Sequence, residues 1–300
     1  MASPETLSQE PRPDQFSVAL CQLTSSDNLE SNVQQIFQLL SQLKQNPPDL
    51  VCFPENTLYM RIEEGAHAKI FSLSEAIFTK LAEWSKATGS ALHLGSVPME
   101  SEGKIRSSSI LIKPSGEISN CYQKIHLFDV DVAGHRPVRE SDVFAPGPGP
   151  AVIEVKGWKF GASICYDLRF AELYIQYARQ EVDAILIPSA FLVPTGRAHW
   201  HVLIRARAIE SQCYVLAAAQ GGIHRGINGA TRGTFGHSIA VDPWGVVLAE
   251  CLDDVRDTAS NPEKILRVNL EREVIETVRA QIPMKNHRTL VEFCLAESKP

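Results

Sequence analysis

The sequence predicts an α/β protein, and three observations indicate this fold class. Short apolar runs typical of buried strands recur from residue 16 to residue 270. Stretches with apolar residues at helical spacing lie between several of these runs. No repeat of fixed period and no convincing linker interrupts the chain. The alternation of strand and helix therefore favours one large α/β domain with more than one sheet.

The predicted elements follow these patterns in chain order. Strands are predicted over 16–23, 49–55, 91–98, 107–114, 117–122, 159–166, 182–191, 213–220, 237–243 and 264–270. Helices are predicted over 28–44, 74–88, 170–180 and 199–212. The turn KPSGE joins two of the strands in a hairpin. The prolines and glycines of APGPGPA (145–151) predict a loop, because they disrupt both helix and sheet interiors.

Composition restricts the classes of partner. A chain of 300 residues with 44% hydrophobic residues can bury a large core. Its net charge of -6 predicts no nucleic-acid or anionic-membrane partner, so a small molecule or a protein is expected. No apolar stretch approaches the roughly 20 residues that cross a bilayer. Seven scattered cysteines, an odd number, predict reduced thiols and a cytoplasmic location.

Three polar residues follow predicted strands and suggest a site. Glu55 follows DLVCFP, Lys124 follows SNCYQ, and Cys165 follows KFGASI. Ligands bind at the carboxyl ends of strands in open α/β sheets, so these side chains are expected in one cleft. A carboxylate accepts the thiol proton, while an ammonium favours the thiolate and stabilises an oxyanion. A helix starting after Cys165 adds its N-terminal dipole and backbone N–H groups, including that of Tyr166.

Structural roles compete with this interpretation. Free cysteines are usually buried for packing, Glu55 can cap the loop PENTL, and an isolated lysine is usually solvated. Histidines give no recognisable metal site: His126 with Asp129 and Asp131, or His199 with His201, has no familiar ligand spacing. The sequence contains no GxSxG, Walker A or strand-linked GxGxxG motif.

Three segments resemble the signature motifs of the nitrilase superfamily of carbon–nitrogen hydrolases. They are FPENTL, YQKIHLFDVDV and GASICYDLRFAEL, and the similarity continues through 187–220 and 236–250. The resemblance implies a four-layer αββα sandwich, a Glu–Lys–Cys triad, Glu140 as a second glutamate, and no metal or organic cofactor. It also implies a hydrolase domain over 16–285, between a flexible N-terminal tail (1–15) and a C-terminal tail (286–300).

Within this superfamily the chain is most similar to the Nit branch. The resemblance implies a cysteine thioester formed from an amide of a small 2-oxo acid, with ammonia release, and deaminated glutathione is the first choice of substrate. An ω-amidase acting on α-ketoglutaramate and a hydrolase of N-carbamyl compounds or nitriles are alternatives. A non-enzymatic interaction protein on the same scaffold remains another.

Further expectations concern substrate binding and assembly. Arg169 is a candidate carboxylate clamp or a structural ion pair, while Phe191 and Thr195, in the loop after a strand, are candidates for the pocket wall. Apolar residues on more than one face of the helices 170–180 and 199–212 indicate burial against a sheet and against another subunit. The family resemblance implies that the assembly is a homodimer or a higher even oligomer. The glycine-rich loop 221–235 and the unusual ending NHRTLVEF differ from the branch pattern, which leaves the substrate as the least certain part.

Overall fold

Two six-stranded sheets pack face to face in the computed structural model, which describes residues 13–63, 68–131, 137–252 and 264–289. The first sheet has the order β16-β1-β2-β3-β4-β5. Its strands are β1 (Gln15–Cys21), β2 (Leu50–Cys52), β3 (Ala91–Ser101), β4 (Lys104–Ile112), β5 (Ile118–Gln123) and β16 (Ile265–Glu271).

The second sheet has the order β15-β14-β11-β10-β9-β8. Its strands are β8 (Ala151–Val155), β9 (Trp158–Ala162), β10 (Ala184–Leu186), β11 (Tyr214–Ala217), β14 (Ile239–Val241) and β15 (Val247–Glu250). Two small hairpins lie outside the sheets: β6 (Asp129–Val130) with β7 (Val138–Arg139), and β12 (Gly221–Arg225) with β13 (Thr231–Phe235). The helices are α1 (Leu29–Leu43), α2 (Ala76–Thr88), α3 (Ala171–Arg179), α4 (Val193–Ser211), α5 (Arg272–Gln281) and α6 (Met284–His287).

Successive side chains of a strand point to opposite faces of its sheet, so the core has three layers. One layer lies between the two sheets, and one lies between each sheet and its helices. In β1, Val18 and Leu20 face the second sheet, where they share a cluster with Phe160 and Leu216. The other faces of the two sheets are covered by helices. One cluster combines the first sheet with α1 and α2, and another combines the second sheet with α3 and α4. The predicted four-layer αββα sandwich is therefore confirmed.

Several predicted boundaries were wrong. Helix α4 begins at Val193 rather than at residue 199, with Pro194 in its first turn, where proline costs no intrahelical hydrogen bond. Thr195 therefore lies in a helix rather than in a loop. The segment after Cys165 is first a 3₁₀ helix (Cys165–Arg169), and α3 starts only at Ala171.

The glycine-rich segment 221–235, expected to be a loop, is the hairpin β12–β13. Its glycines hide the alternating pattern that identifies a strand, so neither strand was predicted. Strands β8 and β15, the hairpin β6–β7 and helix α5 were also missed. Residues 1–12 and 290–300 lie outside the described residues, and the domain limits 16–285 stay a prediction.

The apolar residues that indicated a subunit contact on a second face of two helices pack instead within the core of one chain. Leu173, Tyr174 and Tyr177 of α3 and Trp200 and Ile204 of α4 are buried in the cluster beneath the second sheet. Leu203 of α4 also packs against this cluster. These side chains therefore give no evidence of a subunit contact. No helix in the described residues is long and apolar enough to span a membrane.

Candidate active site

The sandwich brings three strand ends together. Glu55 lies just after β2, Lys124 directly follows β5, and Cys165 comes shortly after β9 of the other sheet. Gly95 allows this approach of the two sheets, since a Cβ atom there would lie 2.2 Å from Pro188 and 2.5 Å from the Phe53 carbonyl oxygen. Any larger residue at position 95 therefore requires the strand ends to separate.

Lys124 is the centre of the charged group. Its side chain is only 2% exposed, and its Nζ donates to Glu55 Oε1 at 2.8 Å. Nζ also lies 3.0 Å from Oε1 and 2.8 Å from Oε2 of Glu140. Burial lowers the pKa of Lys124, but the charges of Glu140, Glu55 and Cys165 outweigh burial and raise this pKa well above its ordinary value. The ammonium therefore stays charged.

Glu140 lies in a 3₁₀ helix (Glu140–Asp142). Its Oε2 accepts a 2.6 Å hydrogen bond from the Phe128 backbone N–H, which fixes the carboxylate against Lys124. Burial raises the pKa of Glu140, and the Glu55 charge adds to this effect while Lys124 opposes it. Two carboxylates thus share one ammonium.

Cys165 has a left-handed backbone conformation with φ 48°, which is strained for a residue with a Cβ atom. Its N–H donates to the Pro188 carbonyl oxygen at 2.9 Å, which holds the turn. Glu55 favours the neutral thiol and the Ala190 backbone N–H favours the thiolate, so both groups lie beside the sulfur. A nearly buried sulfur is therefore aimed at a carboxylate by a constrained backbone.

Opposing effects act on the protonation of this thiol. Burial and then the Glu55 charge raise the pKa of Cys165 well above its ordinary value, although Lys124 favours the thiolate, as expected. Burial excludes solvent from the sulfur, and Glu55 repels a second negative charge. The resting cysteine is therefore a neutral thiol.

Asp167 holds the turn that carries Cys165, and sequence reasoning missed it. This buried carboxylate accepts hydrogen bonds from the Tyr122 hydroxyl at 2.7 Å and from the backbone N–H groups of Ile164 and His126 at 2.9 and 3.0 Å. The His126 Nδ1 lies 2.7 Å from the same carboxylate, and its ring stacks on Phe170. His126 thus joins a structural network rather than a metal site.

A cavity opens beside the charged group. Every site residue proposed from the sequence lines it: Glu55, Lys124, Glu140, Cys165, Tyr166, Arg169, Phe191 and Thr195. The structure therefore brings together residues that lie up to 140 positions apart in the chain, from 55 to 195.

The contacts of Arg169 and Thr195 show how each side chain is held in the cavity wall. The Arg169 guanidinium lies over the rings of Tyr166 and Phe191 at 5.7 and 5.4 Å, and its Nη1 is 3.1 Å from His199 Nδ1. No carboxylate partner of Arg169 is found in the described part of the chain. The Thr195 hydroxyl donates to the Leu192 carbonyl oxygen at 3.2 Å, which uses its proton within the first turn of α4.

The cavity also contains residues that sequence reasoning did not select. Arg61 and Arg232 add two guanidinium groups to that of Arg169, and the wall includes the rings of Tyr59, Phe128 and Phe144. The sequence around a single arginine does not indicate that its side chain faces a cavity, because only the fold decides this. The cavity wall away from Lys124 is therefore rich in cations, a feature that suits anionic ligands.

Comparison with known proteins identifies the family. The family described as "Carbon-nitrogen hydrolase" matches residues 17–280. A protein of Yersinia enterocolitica named "Deaminated glutathione amidase" is 38% identical over 281 residues, covering 91% of this chain and 93% of the relative. A protein of Dictyostelium discoideum with the same name is 34% identical, covering 92% of this chain and 94% of the relative.

Solved structures agree with this result. Nit3 of Saccharomyces cerevisiae, described as a member of branch 10 of the nitrilase superfamily, is 30% identical with a TM-score of 0.75, over 93% of this chain and 98% of that one. The NitFhit protein of C. elegans is 30% identical with a TM-score of 0.78, over 92% of this chain and 65% of that one. The fold and the sequence agree, and the chain belongs to the carbon–nitrogen hydrolase family.

Proposed function

We propose that Cys165 is the nucleophile of an amidase and that Glu55 and Lys124 act with it as a triad. The observation that carries this proposal is the position of Glu55, whose carboxylate accepts a 2.8 Å hydrogen bond from Lys124 and lines the same cavity as Cys165. A base in contact with the nucleophile and a fixed cation beside it are the parts that thiol acyl transfer needs.

In the first step, Cys165 Sγ attacks the carbonyl carbon of the amide while its proton moves to Glu55. The neutral resting thiol makes this transfer part of the attack rather than a prior ionisation. Negative charge develops on the substrate oxygen, where the Lys124 ammonium and the Tyr166 backbone N–H stabilise it. Glu55 then gives the proton to the nitrogen, the carbon–nitrogen bond breaks, and a thioester remains.

In the second step, water attacks the thioester carbon and gives a proton to Glu55. The carbon–sulfur bond breaks, the acid product forms, and the proton returns to the Cys165 sulfur. Glu55 therefore alternates between base and acid. Glu140 lies opposite Lys124 and positions the ammonium, as its two short contacts with Nζ suggest.

For the substrate, we infer deaminated glutathione, the compound in the names of relatives that are 34 to 38% identical. A glutathione whose amino group is replaced by an oxo group carries a carboxylate at each end. Arg61, Arg169 and Arg232 line the cavity and supply cations for such groups. In this proposal Arg169 binds a substrate carboxylate, the role predicted for it from the sequence, and Phe191 and Thr195 lie in the adjacent wall.

The substrate also changes the expected leaving group. Deaminated glutathione is a secondary amide, so its hydrolysis releases the amine of cysteinylglycine. The ammonia release expected from the sequence applies to a primary amide such as α-ketoglutaramate. The two substrates are therefore distinguished by their products as well as by their rates.

The test measures 2-oxoglutarate formed from deaminated glutathione and from α-ketoglutaramate, and ammonia formed from a simple nitrile as a third compound. We expect the highest kcat/KM on deaminated glutathione, with cysteinylglycine as the second product. A higher kcat/KM on α-ketoglutaramate would reassign the chain to the ω-amidases. Absence of turnover on all three compounds would contradict the proposed substrate class.

We also infer a homodimer, on different residues from those used in the sequence argument. Val202 and Ile209 of α4 are exposed apolar residues two helical turns apart, and Trp244 and Val246 are exposed in a turn whose Gly245 approaches Ile209. Such a patch suits a subunit contact. Light scattering should give a mass near twice 33.1 kDa. A monomer at micromolar concentration would contradict this inference.

The cytoplasmic location expected from the sequence stays a prediction.

A further inference from the structure

Two histidines and a glutamate converge at a place outside the candidate active site. His201 lies on α4, His237 precedes β14, and Glu250 ends β15. His201 Nε2 and His237 Nδ1 lie 2.7 and 2.6 Å from the same oxygen, Glu250 Oε1. All three potential ligand atoms lie within 4.8 Å of one another, and none of these residues lines the cavity described above.

The fold holds this cluster from several sides. His237 has a left-handed backbone with φ 57°, and its carbonyl oxygen accepts a 2.8 Å hydrogen bond from the Trp200 indole. The Phe235 ring stacks on the His237 ring at 4.2 Å and presents an edge-to-face contact to His201 at 6.0 Å. Glu250 is fixed by the pairing of β15 with β14. The three side chains therefore come from different elements and are oriented toward one point.

We propose that His201, His237 and Glu250 bind a divalent transition-metal ion, with Zn²⁺ as the best fit. Two imidazole nitrogens and one carboxylate oxygen form a ligand set that Zn²⁺ uses in three-residue sites with a water as the fourth ligand. Mg²⁺ and Ca²⁺ prefer oxygen ligands, so two imidazoles disfavour them. The side chain of His201 is 38% exposed, which leaves an approach for the ion and a position for water.

Binding requires a small rearrangement. Zn–ligand bonds of about 2.1 Å in a tetrahedron separate the ligand atoms by roughly 3.4 Å. The present contacts of 2.6 and 2.7 Å must therefore widen by less than about 1 Å as the ion replaces two hydrogen bonds. In the neutral rings, the proton then moves to His201 Nδ1 and to His237 Nε2, so that the converging nitrogens present lone pairs.

The experiment titrates Zn²⁺ into the tag-free, EDTA-treated full chain by calorimetry. It uses the C165A background, because the active-site thiol is itself a potential metal ligand. We expect one Zn²⁺ per chain. At about 100 times Kd, the ion should raise the Tm by about 5 °C, whereas Mg²⁺ should not. Co²⁺ should give the visible absorption of a four-coordinate site with nitrogen and oxygen ligands.

Variants in the same background locate the bound ion. E250Q keeps an oxygen that accepts hydrogen bonds but removes the charge, and H201Q removes one nitrogen ligand; each should weaken Zn²⁺ binding at least about tenfold. H199Q, two residues away on the same helix, is the matched control and should leave the affinity unchanged. The absence of saturable Zn²⁺ binding up to millimolar concentration, or wild-type affinity in both E250Q and H201Q, would overturn the proposal.

Discussion

Two buried polar regions of this protein respond to burial in opposite ways. At the strand ends, Lys124 is almost completely buried yet remains charged, because Glu55 and Glu140 lie within 3.0 Å of its Nζ. On β3, His93 is equally buried, and neither of its ring nitrogens has a hydrogen-bond partner in the described residues. Burial lowers the pKa of His93 to about 4, so this ring is neutral.

The comparison shows that partners, rather than burial alone, decide whether a polar side chain keeps its charge. Opposite charges compensate the desolvation of Lys124, while nothing compensates that of His93. Cys165 lies between the two cases, because Lys124 favours its anion but burial and Glu55 oppose it more strongly.

The largest effect is expected when the nucleophile is removed. C165A should lower kcat by several orders of magnitude, because no other group in contact with Glu55 can form a thioester. Its Tm should stay close to that of the wild type, since the substitution removes a single heavy atom. Purified variant and wild type are compared by turnover and by thermal unfolding. More than a few per cent residual activity, with contamination excluded, would contradict the assignment of Cys165.

The next effect is expected at Lys124. K124M keeps most of the side-chain volume but leaves two buried carboxylates without a cation, so it should reduce both activity and stability. Breaking a buried ion pair from one side costs about 3–5 kcal/mol of unfolding free energy. Part of this cost is relieved if one carboxylate takes up a proton. Urea unfolding and turnover test this, and a fully stable but inactive K124M would show that partners do not maintain this charge cluster.

A smaller effect is expected at Glu140. E140Q retains the shape of the side chain and removes its charge, so Lys124 loses one of its two anionic partners. We expect at least a tenfold lower kcat, equivalent to about 1.4 kcal/mol of transition-state stabilisation, with little change in Tm. E140D, which keeps the charge but shortens the side chain, should also be impaired. Wild-type rates in both variants would leave Glu140 without a role in positioning Lys124.

The effect expected at His93 is on stability alone. The unfolded chain binds a proton to this histidine near its ordinary pKa of 6.5, but the folded chain binds it only near pH 4. The unfolded state therefore binds more protons, and stability falls as the pH is lowered from 6.5 to about 4. The loss is at most about 3 kcal/mol for this group.

The variant H93L sharpens this test, since leucine removes both unpaired nitrogens at a similar volume. Its unfolding free energy should be at least equal to that of the wild type at neutral pH and should depend less on pH between 6.5 and 4. His224, whose pKa burial also lowers to about 4, keeps a similar pH dependence in both proteins. An unchanged pH dependence in H93L would show that His93 is not buried as a neutral ring.

Local patterns in the sequence predicted most of the strands and helices that form the sandwich. The elements that were missed share a weak local signal. Glycines interrupt the alternation in β12 and β13, and proline and glycine near the start of α4 hide its first turns. Glu55, Lys124 and Cys165 could be selected as site residues from the sequence, because each follows an apolar strand and lies in a segment that resembles a family motif.

The sequence by itself determined the kind of element that most segments form and the chemical groups at the strand ends, because periodicity and residue type are local properties. Only the tertiary structure decided that Glu55 lies beside both Cys165 and Lys124, that the thiol is protonated, and that His201 meets Glu250 across 49 positions of the chain. Electrostatic energies depend on distance through space and on exclusion of water, and neither quantity is written in the order of the residues.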